Sequence, residues 1–113
     1  MYNISLDLEG KQDSATSFYN CDLACNKWFF LKEGRIYQCC IMANIDFFCN
    51  HFDKKIDVDI DDISIDIFNH NEQEILEFLN HPHSVCRYCD TIQRHKNYSN
   101  FAISKGDIKE WTI

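Results

Sequence analysis

The apolar and polar positions of this chain change period several times, and each change predicts an element. Trp28-Phe29-Phe30-Leu31 and Ile36-Tyr37 are aromatic, β-favouring runs separated by Lys32-Glu33-Gly34. They predict a β-hairpin within residues 27–40, with Gly34 free to take positive φ at the turn and Cys39 at the end of the second strand. Ile45, Phe48, Cys49 and Phe52 recur at helical spacing, so a short helix capped by Asn44 is expected through Phe52. Ile56, Val58 and Ile60 alternate with Asp57, Asp59 and Asp61, and Ile63, Ile65 and Ile67 continue one position out of step. That pattern predicts strand character interrupted by a bulge or loop at Asp61-Asp62.

Asn71-Glu72-Gln73-Glu74 opens a helix to about Asn80, with either Asn69 and Glu72 or Asn71 and Glu74 forming a capping box. Ile75, Leu76, Phe78 and Leu79 are its expected buried stripe, and Pro82 closes it. Ser104 to Trp111 is expected as a final short helix. Residues 1–17, broken by the turn-prone Gly10-Lys11-Gln12-Asp13-Ser14, are expected as an extended opening segment or linker to a domain spanning 18–113. Together these elements define a small α+β domain, a β-hairpin followed by short helices.

Composition narrows what such a domain does. One domain is the natural count for 113 residues. A chain this long buries roughly 60–70% of its unfolded surface, a modest core that a bound metal would reinforce. The net charge of −7 disfavours nucleic acid and anionic membrane surfaces, both of which are bound through Lys and Arg. The opening residues lack the basic region and apolar run of a signal peptide, and no stretch approaches the ~18–20 apolar residues of a membrane span. A cytoplasmic, reducing location is expected, and the odd count of seven cysteines fits a disulfide framework poorly.

The cysteines are therefore read as ligands. Cys86-Arg87-Tyr88-Cys89 is a tight chelate in which two intervening residues let both sulfurs face one ion or one cluster edge. Cys39 projects from the hairpin, whereas Cys40 is expected on the opposite face as a small buried hydrophobe. Cys21 and Cys25 precede the hairpin, and both or either can ligate. Cys49 lies among phenylalanines and reads as core. His51, His70, His81 and His83 read as surface or loop-satisfied residues; so does His95, six positions after Cys89, though its place there leaves a Cys/His zinc site open. Asp57, Asp59, Asp61, Asp62 and Asp66 lack the glycine and terminal glutamate of a calcium loop and read as a solvated strand face. No nucleophile elbow or phosphate-cradling glycine loop is present.

The order of these residues resembles a known pattern. Cys21, twelve residues, Gly34, four residues, Cys39, a long gap and then Cys86-x2-Cys89 is similar to the SPASM/Twitch auxiliary-cluster domain. That domain lies at the C-terminus of many radical S-adenosylmethionine (radical SAM) enzymes. Gly34-Arg35-Ile36-Tyr37-Gln38-Cys39-Cys40, the Glu74–Leu79 helix, Pro82 and the Ser104–Trp111 tail add to the likeness, which spans 18–113. The resemblance implies one [4Fe–4S] cluster held by Cys21, Cys39, Cys86 and Cys89, with Cys25 replacing or assisting Cys21, and the shorter Twitch form. It implies as partner a radical SAM catalytic domain, or the peptide or small-molecule substrate of one. The departure is Trp28: the radical-generating motif CxxxCxxC would need cysteine there, and no βα repeats of a barrel are seen. The chain is thus expected to carry an accessory site for electron transfer or substrate positioning, without a catalytic core. A structural zinc-binding interaction module is the second reading, since four thiolates suit zinc equally well. A metal-free globular protein with buried thiols is the third.

Overall fold

In the computed structural model, which describes residues 4–96 and 103–113, the chain forms a small α+β domain built on a three-stranded antiparallel sheet. The hairpin is the one the sequence predicts. Strands β1 (Phe30–Lys32) and β2 (Arg35–Tyr37) pair Phe30 with Tyr37 and Lys32 with Arg35. Glu33 (φ 53°) and Gly34 (φ 75°) make the two-residue turn between them, a conformation whose twist matches that of the flanking strands. Glycine is required at 34 on a second count: a Cβ built there would stand 2.6 Å from Cε2 of Phe68.

Helix α1 (Ser14–Tyr19) and the single-turn helix α2 (Asp22–Cys25) precede the hairpin; α3 (Cys40–Ala43) and α4 (Ile45–Phe52) follow it. Ile45 is buried, and Phe48 and Cys49 pack against the core edge, so the predicted apolar face of α4 is the one used. Asn44 precedes α4 but makes no side-chain cap; its amide donates back to the Cys40 carbonyl at 2.9 Å.

The stretch 56–67 departs from expectation. Residues 56–59 are not strand, and Ile60–Ile63 form one helical turn, α5. Asp59 caps this turn by accepting from Asp61 N–H at 2.9 Å, and Ser64 Oγ donates to the Ile60 carbonyl at 2.6 Å. Of this stretch, β3 (Ser64–Asp66) is the paired strand, matching Tyr37 with Ser64 and Arg35 with Asp66. The alternation of Ile and Asp is a local pattern, whereas a strand needs a partner, and β2 offers one only three residues long.

Helix α6 (Glu72–Leu79) carries the Asn71/Glu74 capping box, but of its expected stripe only Leu79 is fully buried and Leu76 is exposed. The Ser104–Trp111 segment is helical only as a 3₁₀ turn at Ile108–Glu110, capped by Asp107. Helix α7 (Thr91–Lys96) was not anticipated; Asp90 accepts from Gln93 N–H at 2.8 Å at its start.

The opening segment is integral to the core. Leu6 is 1% exposed, and it bridges Cys89 on one side and Thr112 on the other. Leu6 N–H donates to the Trp111 carbonyl at 2.9 Å and Asp7 N–H to the Tyr88 carbonyl at 2.8 Å. Leu6, Tyr37, Met42, Ala43, Ile45, Ile56, Ile63, Val85, Tyr88 and Cys89 form one buried cluster. No helix among the described residues is long and apolar enough to cross a membrane.

Candidate metal centre

Three chain segments deliver four thiols to one cavity of about 30 Å³, roughly twice the ~10–15 Å³ that a single water needs. Cys21, Cys39, Cys86 and Cys89 line it together with apolar walls from Phe18, Met42 and Val85 and the side chains of Gln38, Thr91 and Arg94.

Each thiol is placed by local backbone chemistry. Cys21 is the N-cap of α2, with extended backbone (φ −86°, ψ 121°) that takes its side chain out of the helical screw. Cys25 closes the same turn, is exposed, and donates from Sγ to the Tyr19 carbonyl at 3.6 Å. Cys39 is likewise the N-cap of α3 (φ −154°, ψ 157°), and its Sγ accepts from Met42 N–H at 3.4 Å. Cys40, the first residue of α3, is exposed, not the buried hydrophobe the sequence suggested. The two adjacent thiols do point apart, but helix capping separates them rather than strand alternation, because β2 ends at Tyr37. Cys49 is half-buried and outside the cavity.

Cys86 sits within the 3₁₀ turn Ser84–Tyr88, and Cys89 N–H donates to its carbonyl at 3.1 Å. That hydrogen bond folds the CxxC segment so that both sulfurs serve one cavity. The Cys89 carbonyl accepts from Ser17 Oγ at 2.6 Å, and Thr91 Oγ1 donates to the Ser17 carbonyl at 3.0 Å. Helix α1 is thereby pinned to the ligand turn. Cys86 N–H donates to the His83 carbonyl at 3.0 Å, and His83 Nε2 lies 2.6 Å from the Phe78 carbonyl, linking the turn back to α6.

Burial dominates the electrostatics of the thiols. It pushes Cys39 far above the ordinary thiol range, against the pull of Met42 N–H, and the neighbouring thiols Cys89, Cys21 and Cys86 add to the rise. Burial likewise lifts Cys86 to about 11. Cys89, 8% exposed, is raised by burial while Arg94 opposes the rise.

Sequence reasoning missed two polar residues here. Arg94, on α7, is 3% exposed. Its Nε donates to the Ile4 carbonyl at 2.7 Å and its Nη1 to Cys21 Sγ at 3.7 Å, while Nη2 has no partner among the described residues. Burial works against its charge, and Cys89 and Cys21 more than offset that, holding the guanidinium above its ordinary pKa. No carboxylate pairs with it among the described residues. Gln38 Nε2 donates to Cys86 Sγ at 3.7 Å, and its buried Oε1 is unpartnered. The signal for α7 was present in the Asp90-x2-Gln93 spacing.

The other candidates lie elsewhere. His83 is buried, and burial lowers its pKa; His51 packs on Phe52, His70 Nδ1 lies 2.9 Å from the Asp66 carbonyl, and His81 stacks on His83. The His95 side chain lies outside the described residues. Asp61 pairs with Arg35 at 2.7 Å and Asp57 with Lys55 at 3.5 Å, so the acidic run is a solvated surface. Among the described residues, no group of three or more His, Cys, Asp or Glu side chains is placed to hold a metal ion. The four thiols thus share a cavity without converging on one point.

No protein-family model matches the sequence, no curated protein matches it, and no solved structure matches the fold.

Proposed function

We propose that this chain is an accessory iron–sulfur domain in which Cys21, Cys39, Cys86 and Cys89 hold one [4Fe–4S] cluster. The observation that carries the reading is the shared cavity: four thiols from three separate segments, in apolar walls, beside a buried cation with an unpaired N–H. The donor set fits the group. Thiolates are the usual ligands of such clusters, and apolar surroundings with hydrogen bonds to sulfur govern their potential. The guanidinium of Arg94 supplies the positive charge that a thiolate-ligated centre, formally anionic, requires in a buried site. A cluster bound here would supply one-electron storage.

The rest is done by the chain. Cys86 and Cys89 are held by the 3₁₀ turn, Cys39 by its cap and Cys21 by the α1–α2 junction, so all four line one cavity, and loading would require the sulfurs to close on the cluster. Phe18, Met42 and Val85 give the sulfurs apolar neighbours. Cys25 contributes no thiol to the cavity. The resemblance to SPASM/Twitch domains extends the proposal: the domain would stand beside a radical SAM catalytic core, or that core's peptide or small-molecule substrate, and serve electron transfer or substrate positioning.

Structural zinc is the competing reading, favoured by the tetrathiolate donor set. A single ion draws four sulfurs to one centre, whereas each thiolate of a cluster binds a different iron and the four stand further apart. The cavity lining accommodates either donor chemistry, and the resemblance to SPASM/Twitch domains is what favours the cluster. Anaerobic purification followed by iron, acid-labile sulfide and zinc analysis tests the choice. Equimolar iron and sulfide with a brown colour is expected; a colourless protein with one zinc per chain overturns the proposal.

A further inference from the structure

The Arg94 guanidinium is the most unusual group in the cavity wall. It comes from a helix that carries none of the four thiols, yet it reaches sulfur on Cys21 and neighbours Cys89, from segments far apart in sequence. Its Nε is anchored on the Ile4 carbonyl, which fixes the plane of the fork. Among the described residues Nη2 is buried without a close acceptor, and the guanidinium stands beside the Cys89 thiol. Leaving a charged donor unpaired in the interior is expensive unless an anion completes it. A lysine would offer a mobile point charge here; the arginine fork offers several donors in a fixed plane.

We infer that Arg94 is a positioning and charge-compensating residue for the four-thiol centre, donating to the ligand sulfurs and setting the centre's reduction potential. The inference rests on the reading of the cavity as an iron–sulfur site. A [4Fe–4S] core with four thiolates is formally a dianion, and one-electron reduction makes it a trianion. In that step the centre gains one electron from an external low-potential reductant, which is oxidised by one electron, and no proton or ligand is exchanged. A fixed cation beside two of the ligands stabilises the trianion more than the dianion. Arg94 therefore raises the potential, and hydrogen bonds to sulfur act in the same direction. Gln38, already donating to Cys86, assists from a different element.

The test is anaerobic reconstitution of the full chain with ferrous iron and sulfide, followed by a reductive titration monitored by visible absorbance and electron paramagnetic resonance. Wild type, Arg94→Met and Arg94→Lys are compared. Arg94→Met is expected to keep its iron and sulfide. At the wild-type midpoint its ratio of reduced to oxidised centre should fall about tenfold, a displacement of ~59 mV for a one-electron couple. Arg94→Lys, which keeps the charge, should fall between. Unchanged potential at full iron and sulfide content overturns the role of Arg94 and leaves the cluster reading standing. If Arg94→Met loses its iron, Arg94→Lys decides: restored content supports charge compensation, and loss in both variants overturns it. Failure of the wild type itself to hold iron and sulfide removes the cluster reading, and this inference with it.

Discussion

Cys21 and Cys25 belong to one turn of chain, and Cys39 and Cys40 are adjacent, yet in each pair one thiol lines the cavity and the other is exposed to solvent. The inner member of each pair is an N-cap and the outer member lies within the helix it caps. Cap residues keep extended φ and ψ, so their side chains leave the line that the following helical residues share. Spacing alone treats Cys21 and Cys25 alike; capping geometry separates them. The difference teaches that two single-turn helices, too short to be stable alone, serve here to aim thiols.

The largest break of this comparison is removal of an inner thiol. Cys21→Ser, Cys39→Ser, Cys86→Ser and Cys89→Ser should each abolish stoichiometric metal retention after anaerobic purification. The melting temperature of each variant should fall to that of the metal-free protein. Metal-coupled folding contributes on the order of 10 kcal/mol in structural zinc sites, which sets the scale of the loss. Cys25→Ser and Cys40→Ser should retain metal as wild type does. Metal lost from Cys25→Ser but kept by Cys21→Ser would reverse the inner and outer assignment.

Next comes the floor beneath the inner thiols. Leu6→Ala removes a side chain that is 1% exposed and bridged to Cys89. A loss of about 2–5 kcal/mol is expected in urea unfolding of the metal-free protein. A loss below about 1 kcal/mol would mean that the opening segment contributes little to the core, as expected of an extended linker.

How legible the molecule was in its sequence follows the range of the interactions. The Glu33-Gly34 turn and the Asn71/Glu74 box are formed by residues within four positions of one another; the turn was readable, and the box was narrowed to two pairs, Asn69/Glu72 or Asn71/Glu74. The apolar face of α4 was readable because helical period reports burial directly. The strand expected at 56–60 was not, since its fate depended on whether β2 had length to pair with it. The opening segment carries so little apolar sequence that burial of Leu6 is decided by Tyr88, Cys89 and Trp111, more than eighty residues away. In the site, spacing pointed to Cys39, Cys86 and Cys89, and that Cys21 rather than Cys25 lines the same cavity came only with the backbone. Arg94 was invisible because a single arginine in an acidic chain reads as surface until α7 turns it inward.

Reactivity sharpens the comparison by a smaller effect. In the metal-free protein burial makes Cys39, Cys86 and Cys89 hold their protons, Cys86 up to about 11. An unfolded thiol titrates at about 8.5. The folded state therefore binds the proton more tightly than the unfolded one. Its contribution to stability is fully present below about pH 8.5 and is lost as pH rises through about 11. Alkylation at pH 8, followed by mass spectrometry, should label Cys25 and Cys40 well before Cys86 and Cys39. Faster labelling of Cys86 than of Cys40 would contradict the placement of the inner set.

The smallest effect tests how far the inner region extends. Asn71 caps α6 at the end away from the ligands, accepting from Glu74 N–H at 2.9 Å. The far end of the helix presents the Phe78 carbonyl to His83, whose own carbonyl accepts from Cys86 N–H. Asn71→Ala should cost about 1 kcal/mol in chemical unfolding, the usual worth of an N-cap. Metal content should not change, because the last turn of α6 is held by Leu79, which is buried independently of the cap. If Asn71→Ala also lowered metal retention, the hydrogen-bonded path through His83 would be transmitting the fraying of α6 to the CxxC turn. The inner region would then comprise α6 as well as the four thiols and Arg94.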